Sequence, residues 1–362
     1  MNAARVFRIA VLPGDGIGQE VIAEGVKALR AAASGLRGVT FTLDEFSVGA
    51  REYLRGGDPL PEPVFERLRE HDAILLGAMG LPDVRRPSGV EIAPQLDLRE
   101  RLDLYCGQRP IRLYHPCHSP LKSPGPIDFV LVRESTEGLF SSRHGAFAAD
   151  TEEAVDTMRI TRRASERLFR AAFRLARKRR RFVTLVDKAN VLPAMAYFRS
   201  VFDRIAAEFP DVRTERVYVD AAALYLVQQP AAFDVLVTEN MFGDILSDLG
   251  AALVGGMGMA PSADIGDRHA VFQPAHGTAP SLAGRGIANP VATVLSVAMM
   301  LEWLGHPETE RGAAAIRTAV AGVLAADRNR TADLGGSLTT AEMGDRIAQR
   351  IADAAERGEE SR

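Results

Sequence analysis

Short apolar runs rich in β-branched residues recur along the chain as FRIAVL (7–12), AILLG (73–77), DFVLVR (128–133), FVTLV (182–186), RVYVD (216–220) and DVLVT (234–238). Each is too short for a helix, and most are continuously apolar, as strands covered on both faces are. Between several of them lie longer stretches with apolar residues at three-to-four spacing. Val21, Ile22, Gly25, Val26 and Leu29 form one stripe within 15–33, and Ile160, Ala164, Leu168, Ala172 and Leu175 another within 159–176. These periods predict core-facing helices, and the alternation of the two element types predicts an α/β architecture. A proline cluster at 110–126, containing HPCHSPLKSPGP, and the glycine-rich GGMGMAPSADIGD at 255–267 read as long turns. They bracket a middle region, so the expected organisation is a central domain at 104–253 and a second domain built from 1–103 plus 254–362.

The first strand breaks into VLPGDGIGQEVIAEGVKALR, a strand, glycine-rich turn and helix in succession. A dinucleotide-binding turn would cradle a pyrophosphate on backbone N–H groups at a helix N-terminus. Here the third glycine of that fingerprint is missing, because Gln19 follows Gly14, Gly16 and Gly18, and Asp15 inside the turn would repel a phosphate. A tight strand-to-helix turn is the favoured reading.

With 362 residues, 46% of them hydrophobic, the chain is long enough to bury about two domain cores. The formal net charge of −3 gives no global basic field for nucleic acid. The one basic block, Arg177 to Arg181, ends a helical pattern and reads as a solvated last turn. Two cysteines are too few for a disulfide framework and fit a cytoplasmic protein. MNAARVFRIAVLPG is not apolar enough for a signal peptide, and no run of about 18 apolar residues exists to span a membrane. His115, Cys117 and His118 lie within four residues of one another, but zinc sites usually need a second ligand pair, and none is evident.

The stretch TENMFGDILSDLGAALVGG places Asp244 and Asp248 four apart, on one face of a helix. Two adjacent carboxylates repel, so a hard divalent cation is one reason to pair them; solvation in the first turn of a helix is the other. Asp220 ends one strand-like run and Lys188 another, where open sheets locate their sites. Arg99, Arg109 and Arg133 fall near strand or loop ends, and their rigid forks suit a polycarboxylate.

PGDGIG, LRERLDLYCGQRP, VRESTEGLF, DKANVL, the run from Glu239 to Asp267 and HGTAPSLAGRGIANPVATVLSVAMMLEWL follow one another in an order that resembles the β-decarboxylating dehydrogenases. That family includes isocitrate, homoisocitrate, 3-isopropylmalate and tartrate/malate dehydrogenases. The resemblance covers nearly the whole chain. It implies an isopropylmalate dehydrogenase-like two-domain α/β fold with a large mixed sheet, not a Rossmann fold. It implies an NAD-dependent, Mg2+- or Mn2+-dependent oxidative decarboxylation of a 3-substituted malate. Asp220, Asp244 and Asp248 would hold the metal, with Asp220 and Lys188 contributed across a homodimer and Lys188 as the proton-relay base. Arg99, Arg109 and Arg133 would bind the malate carboxylates. His276, Gly277, Thr278, Ala279, Asn289 and Asn190 would receive the cofactor.

Three positions depart from the family pattern. Phe140 stands where a tyrosine seven residues after the third arginine usually assists protonation. Ser281 follows HGTAP where NAD users commonly carry Asp, which leaves NAD preferred over NADP chiefly through ADLGGSLTTAEMGD. Gln95 and Leu96, just before the first arginine, match neither the isopropylmalate nor the isocitrate pattern. The identity of the malate therefore stays open among isopropylmalate-, isocitrate- and homoisocitrate-like acids. A tartrate or D-malate dehydrogenase, or a catalytically weak regulatory homologue, is the alternative.

Overall fold

Each of the six apolar runs forms a strand, and four further strands join them in one ten-stranded sheet among the described residues. The computed structural model describes residues 5–87, 89–145, 152–326 and 328–360. The first four residues of the stretch weighed as a signal peptide lie outside these. The chain begins with β1 (Arg5–Gly14), α1 (Gly18–Ser34), β2 (Val39–Glu45), α2 (Ala50–Gly56), α3 (Glu62–Leu68), β3 (Ala73–Ala78) and α4 (Pro94–Arg101). It continues through β4 (Cys106–Arg112), β5 (Asp128–Glu134), α5 (Arg162–Arg177), β6 (Phe182–Asp187), α6 (Pro193–Ala206), β7 (Arg213–Tyr218) and α7 (Val219–Gln228). Then come β8 (Val235–Thr238), α8 (Asn240–Ala252), β9 (Pro261–Ile265), β10 (Ala270–Pro274), α9 (Val291–Trp303), α10 (Pro307–Leu324) and α11 (Thr340–Glu360).

The strand order is β2-β1-β3-β10-β9-β4-β5-β8-β6-β7. Two parallel halves, β2-β1-β3-β10 and β5-β8-β6-β7, are joined through antiparallel ladders of β9 and β4. The sheet is therefore mixed, unlike the parallel doubly wound sheet of a dinucleotide fold. Its antiparallel centre is where the sequence pattern failed. GGMGMAPSADIGD is not one long turn: Pro261–Ile265 is a strand almost wholly buried in mid-sheet. Its polar Ser262 and Asp264 hide the apolar signal and are themselves buried. Likewise, the proline-rich turn starts later than residue 110, because Pro110 to Arg112 still belong to β4. RVYVD is cut short too. The strand stops at Tyr218, which puts Asp220 in the first turn of α7 rather than at a strand end.

Helix α9 is buried from Val291 through Leu301 and packs α1 and α10 around it, as an all-apolar helix must. The second core lies in the other half, where Phe169, Phe173, Phe198 and Phe202 of α5 and α6 stack on one another. The basic block is solvated, with Arg177, Lys178, Arg180 and Arg181 exposed, and several of its members are also paired. Arg177 pairs with Asp211 and Arg179 with Asp128 and Asp234, while Arg180 donates to the carbonyls of Asp128 and Phe233.

The GDGIG turn is built for a backbone contact. Gly16 has φ +56°, and a Cβ there would sit 2.0 Å from the carbonyl oxygen of Thr278, which accepts the Ile17 N–H at 2.9 Å. The turn thus clamps the 276–280 loop. Asp15 does not face a ligand from inside the turn. Its carboxylate is fully buried and turns away, accepting backbone N–H bonds from Ala50 at 2.7 Å, Gly80 at 3.0 Å and Arg51 at 3.1 Å. One anion thereby holds the start of α2 and the loop after β3 against β1. Asp15→Ala leaves three inward N–H donors without their acceptor, and about 3 kcal/mol of stability is expected to go with it. Urea unfolding of the purified protein checks this; a loss under about 0.5 kcal/mol refutes the role, that being the ordinary range of surface changes.

Candidate active site

Arg109 and Arg133 lie on the neighbouring strands β4 and β5, and Arg99 on α4. Only Arg133 is close to a strand end; Arg99 rides on a helix and Arg109 sits in mid-strand, which corrects the expectation from sequence. All three are buried, Arg133 to 1% exposure. Arg133 donates to Asn240 Oδ1 through Nε at 2.9 Å and Nη2 at 2.6 Å, and Nη1 bonds Asp244. Arg109 reaches Ser247 Oγ at 2.5 Å, Asp244 at 3.3 Å and Asp248 at 3.4 Å. Arg99 Nε lies 2.9 Å from Asp264 Oδ2 on β9, which also accepts from Gln273 Nε2 at 2.9 Å, while the Ser135 hydroxyl donates to Oδ1 at 3.4 Å.

Three guanidiniums so close disfavour one another. Burial first, and then Arg109 and Arg99, draw Arg133 down to about 9, still a cation at neutral pH. Such a cluster is a site for anions. Burial pushes the Asp244 carboxyl up, but Arg133, Arg109 and Arg99 together outweigh it and hold the group below its ordinary value. Asp248 moves the other way, raised by burial with the like charge of Asp244 adding to it. The sequence placed both on one helix face, and α8 does so, with Asp244 40% and Asp248 57% exposed. An all-carboxylate, partly open pair with one anion repelled by the other fits a hard cation such as Mg2+ or Mn2+. Among the described residues no three His, Cys, Asp or Glu side chains of one chain are grouped to hold a metal.

Lys188, just past β6, donates to Asp220 Oδ1 at 2.6 Å, and that bond keeps Asp220 below its usual value. Within one chain this pair forms apart from the arginine cluster. Asn190 is exposed in the turn beside it.

The 276–280 loop presents one unsatisfied group. His276 Nδ1 meets the Gly277 carbonyl oxygen at 2.8 Å, so it must carry the proton, and Nε2 is then an acceptor. That Nε2 is shielded and has no partner, while burial lowers the imidazole's proton affinity and keeps it neutral. The space beside Gly277 is open. Asn289 bonds Asp333 at 3.0 Å and caps α9 through the Val291 N–H at 3.1 Å. Glu20 of α1 secures the far end of the loop through the N–H groups of Gly284 and Gly286. A nucleotide, rich in hydroxyl and amine donors, fits this loop.

Sequence reasoning passed over the residues that hold the arginines. A Cβ on Gly243 would stand 2.6 Å from Arg133 Cγ, so only glycine lets α8 lie against that side chain. Asn240, Ser247 and Asp264 were likewise unmarked. Their signal was a set of polar residues at helical spacing with Asp244 and one polar residue in a buried strand. His115 Nδ1 lies 2.8 Å from Cys117 Sγ, and neither Cys106 nor Cys117 forms a disulfide.

The fold matches solved structures over nearly its full length. Isocitrate dehydrogenase from Methylococcus capsulatus shares it at TM-score 0.85 and 37% identity, covering 96% of this chain and 99% of that one. The β-decarboxylating dehydrogenase from Thermococcus kodakarensis, in its apo form, shares it at TM-score 0.80 and 37% identity, over 98% of each chain. Both neighbours are dehydrogenases, and the likeness places the chain among the oxidoreductases of that class. The sequence profile of the isocitrate/isopropylmalate dehydrogenases matches residues 8–347, and the chain belongs to that family. Among its relatives, the 3-isopropylmalate dehydrogenase of Thermobifida fusca is 45% identical over 97% of this chain and 99% of its own length. That of Corynebacterium kroppenstedtii is 44% identical over 95% and 99%.

Next to Arg133, Glu134 is buried and accepts from the Thr136 hydroxyl at 2.7 Å and the Glu137 N–H at 2.6 Å. Burial above all, with nearby Glu137 adding, raises its carboxyl from 4.5 to about 7 despite these bonds. A folded-state value above the unfolded one means the fold holds this proton more tightly. The stabilisation is complete below about pH 4.5 and is lost as pH rises through about 7. Glu134→Gln removes that loss, so the stability of the variant relative to wild type is expected to rise between pH 5 and pH 8, by on the order of 2 kcal/mol. Denaturant curves at the two pH values check it; a difference that stays flat or falls overturns it.

Proposed function

We propose that the chain catalyses the NAD-dependent, Mg2+- or Mn2+-assisted oxidative decarboxylation of a 3-substituted malate. The observation that carries this reading is the convergence of Arg109 and Arg133 on Asp244, with Arg99 held beside them on Asp264, an anion-binding site that also offers hard oxygen ligands. The relatives named 3-isopropylmalate dehydrogenase support the substrate class. When bound, the cation would acidify the C2 hydroxyl and the nicotinamide would take hydride from C2. The three arginines would orient the carboxylates by charge-assisted bonds. Lys188 would take the hydroxyl proton; the C3–carboxylate bond then breaks to release CO2, and C3 gains a proton. Phe140 has no hydroxyl to give. His276, Gly277, Thr278, Ala279 and Asn289 would receive the nucleotide, with Asn190 approaching its nicotinamide end.

We further read the active form as a homodimer with shared sites. Asp220, Leu224 and Val227 fall at i, i+4 and i+7 on α7, and the two apolar members are 52% and 42% exposed. Ile245 beside Asp244 and Val191 beyond Lys188 are 59% and 64% exposed. Burying that face against a second copy would carry Lys188 and Asp220 toward the partner copy's Asp244 and Asp248. The two units of such a subunit are 1–103 plus 254–362 and 104–253.

NADH release from malate, tartrate, isocitrate, homoisocitrate and 3-isopropylmalate with Mn2+ tests the activity, and full turnover in excess EDTA refutes the metal's part. Mixing inactive Lys188→Ala with inactive Asp244→Asn is expected to restore up to about a quarter of wild-type sites. Verified mixed dimers without activity would sink the shared site. Phe140→Tyr is expected to raise kcat by about 10-fold, a fraction of what a placed general acid supplies. An unchanged or lower kcat means another donor already serves C3.

A further inference from the structure

Arg99 is the one arginine of the three that no strand carries. Arg109 and Arg133 are fixed to each other by the ladder of β4 on β5, whereas Arg99 rides on α4, and the chain turns from that helix into β4 within four residues. The turn closes on Asp103, whose φ of +52° lies in the left-handed region that a side chain adopts only where its surroundings hold it. The Leu104 N–H returns to the Arg99 carbonyl at 2.8 Å, so the backbone of Arg99 is part of the turn. The Asp103 carboxylate is gripped from α5. Arg167 donates Nη1 to Oδ2 and Nη2 to Oδ1, both at 2.5 Å, and Arg163 adds a bond at 3.0 Å. Arg167 above all holds that carboxyl below its ordinary value. Its own side chain is 15% exposed, and its guanidinium lies 4.1 Å from the centre of the Tyr105 ring. Helix α5 is in turn tied to the third arginine. At its N-cap Thr161 donates its N–H and hydroxyl to the Glu137 carboxylate at 2.7 and 2.6 Å, and the Glu137 carbonyl accepts from Asn240, the anchor of Arg133.

We infer that Arg167, through its clasp on Asp103, is a positioning residue that places Arg99 against Arg109 and Arg133. The inference rests on the dehydrogenase reading for the identity of the ligand. The geometry supports it on two counts. The first turns of α5 hold both the turn behind Arg99 and the segment that anchors Arg133, so a single element sets the spacing of the guanidiniums. The planar fork of Arg167 meets both oxygens of Asp103, which fixes direction as well as distance. Three guanidiniums serve one polycarboxylate together only if the gaps between them match it, and a displaced Arg99 keeps its charge but loses its aligned bonds.

The test is calorimetric binding of malate, 3-isopropylmalate and isocitrate to the full chain in the presence of Mn2+ and without nucleotide, which reads the site whether or not turnover occurs. Arg167→Ala is expected to weaken the tightest of the three by about 10-fold, the worth of one charge-assisted bond. Arg99→Gln should cost at least as much. The two substitutions together should cost no more than about 3-fold beyond Arg99→Gln alone, because Arg167 acts through Arg99. Asp103→Asn, which tolerates the left-handed turn but removes the charge, should weaken binding in the same direction, and serves if Arg167→Ala does not fold. A folded Arg167→Ala protein with lower thermal stability but wild-type affinity overturns the proposal, because a purely structural clasp would give that result. Losses that multiply, to about 100-fold in the double variant, overturn it as well. Non-additive weakening, with no NADH release by wild type on adding NAD, removes the dehydrogenase reading and leaves the positioning role standing. NADH release by wild type, with an Arg167→Ala variant that keeps the wild-type KM, removes the positioning role alone. Wild type that binds none of the three acids overturns both.

Discussion

Arg133 is the constraint around which the site is organised. A guanidinium at 1% exposure is costly unless every donor is met by an acceptor. Asn240 and Asp244 meet it from one helix, and Asn240 in turn donates to the Glu137 carbonyl at 2.9 Å. For α8 to come that close, position 243 can carry no side chain. The same contact that satisfies Arg133 therefore fixes the angle of α8, and the angle of α8 points Asp244 and Asp248 toward the arginines. On the proposed function, the ion pairs Asp244 makes with Arg109 and Arg133 would stand in for a different set of partners. A bound polycarboxylate would take over the guanidiniums and leave both aspartates free for a cation, with no repacking of the buried core.

A second contact fixes the loop that is proposed to receive the nucleotide. Gly16 lies so close to the Thr278 carbonyl that the turn after β1 is seated on the loop, and Asp15 ties it to α2 and to the loop after β3. The glycines here serve backbone approach rather than phosphate binding. The turn resembles a dinucleotide fingerprint because both need a chain reversal at a strand end, yet the physical demand on Gly16 comes from a neighbouring peptide.

Strands β1, β3, β5, β6 and β8 and helices α1 and α5 were legible because burial on both faces leaves continuous apolar runs, and one-sided burial leaves stripes, whereas the half-exposed, polar edge strand β2 left neither. The antiparallel centre was not legible either. β4 carries two arginines, a glycine and a proline, and β9 a serine and an aspartate, since these strands bring polar groups into the interior for the site. Residues selected to face a ligand erase the pattern that announces a strand. For the same reason the charged members of the candidate site, Arg99, Arg109, Arg133, Asp244 and Asp248, stood out in sequence as motif residues. Gly243, Asn240 and Asp264, which position them, did not, because a close approach between two elements has no one-dimensional signature.

On the shared-site reading, what one chain would leave incomplete follows from where its donors lie. The arginine cluster and its two aspartates sit at the edge of α8, while Lys188 and Asp220 bond each other at the start of α7. Asp220 is 69% exposed and its side chain pairs with a lysine whose proposed task lies elsewhere. Its own helix continues into Leu224 and Val227, apolar residues with nothing over them in a single subunit. Hydrophobic burial is undirected, so an interface formed on that stripe gains stability whichever polar groups it carries along. On the homodimer reading, placing Asp220 on the stripe would make assembly and site completion one event: the apolar contact would drive association, and the carboxylate would travel with it. A chain arranged in this way would hold a full ligand set only when paired, which couples the proposed chemistry to concentration without any separate regulatory element.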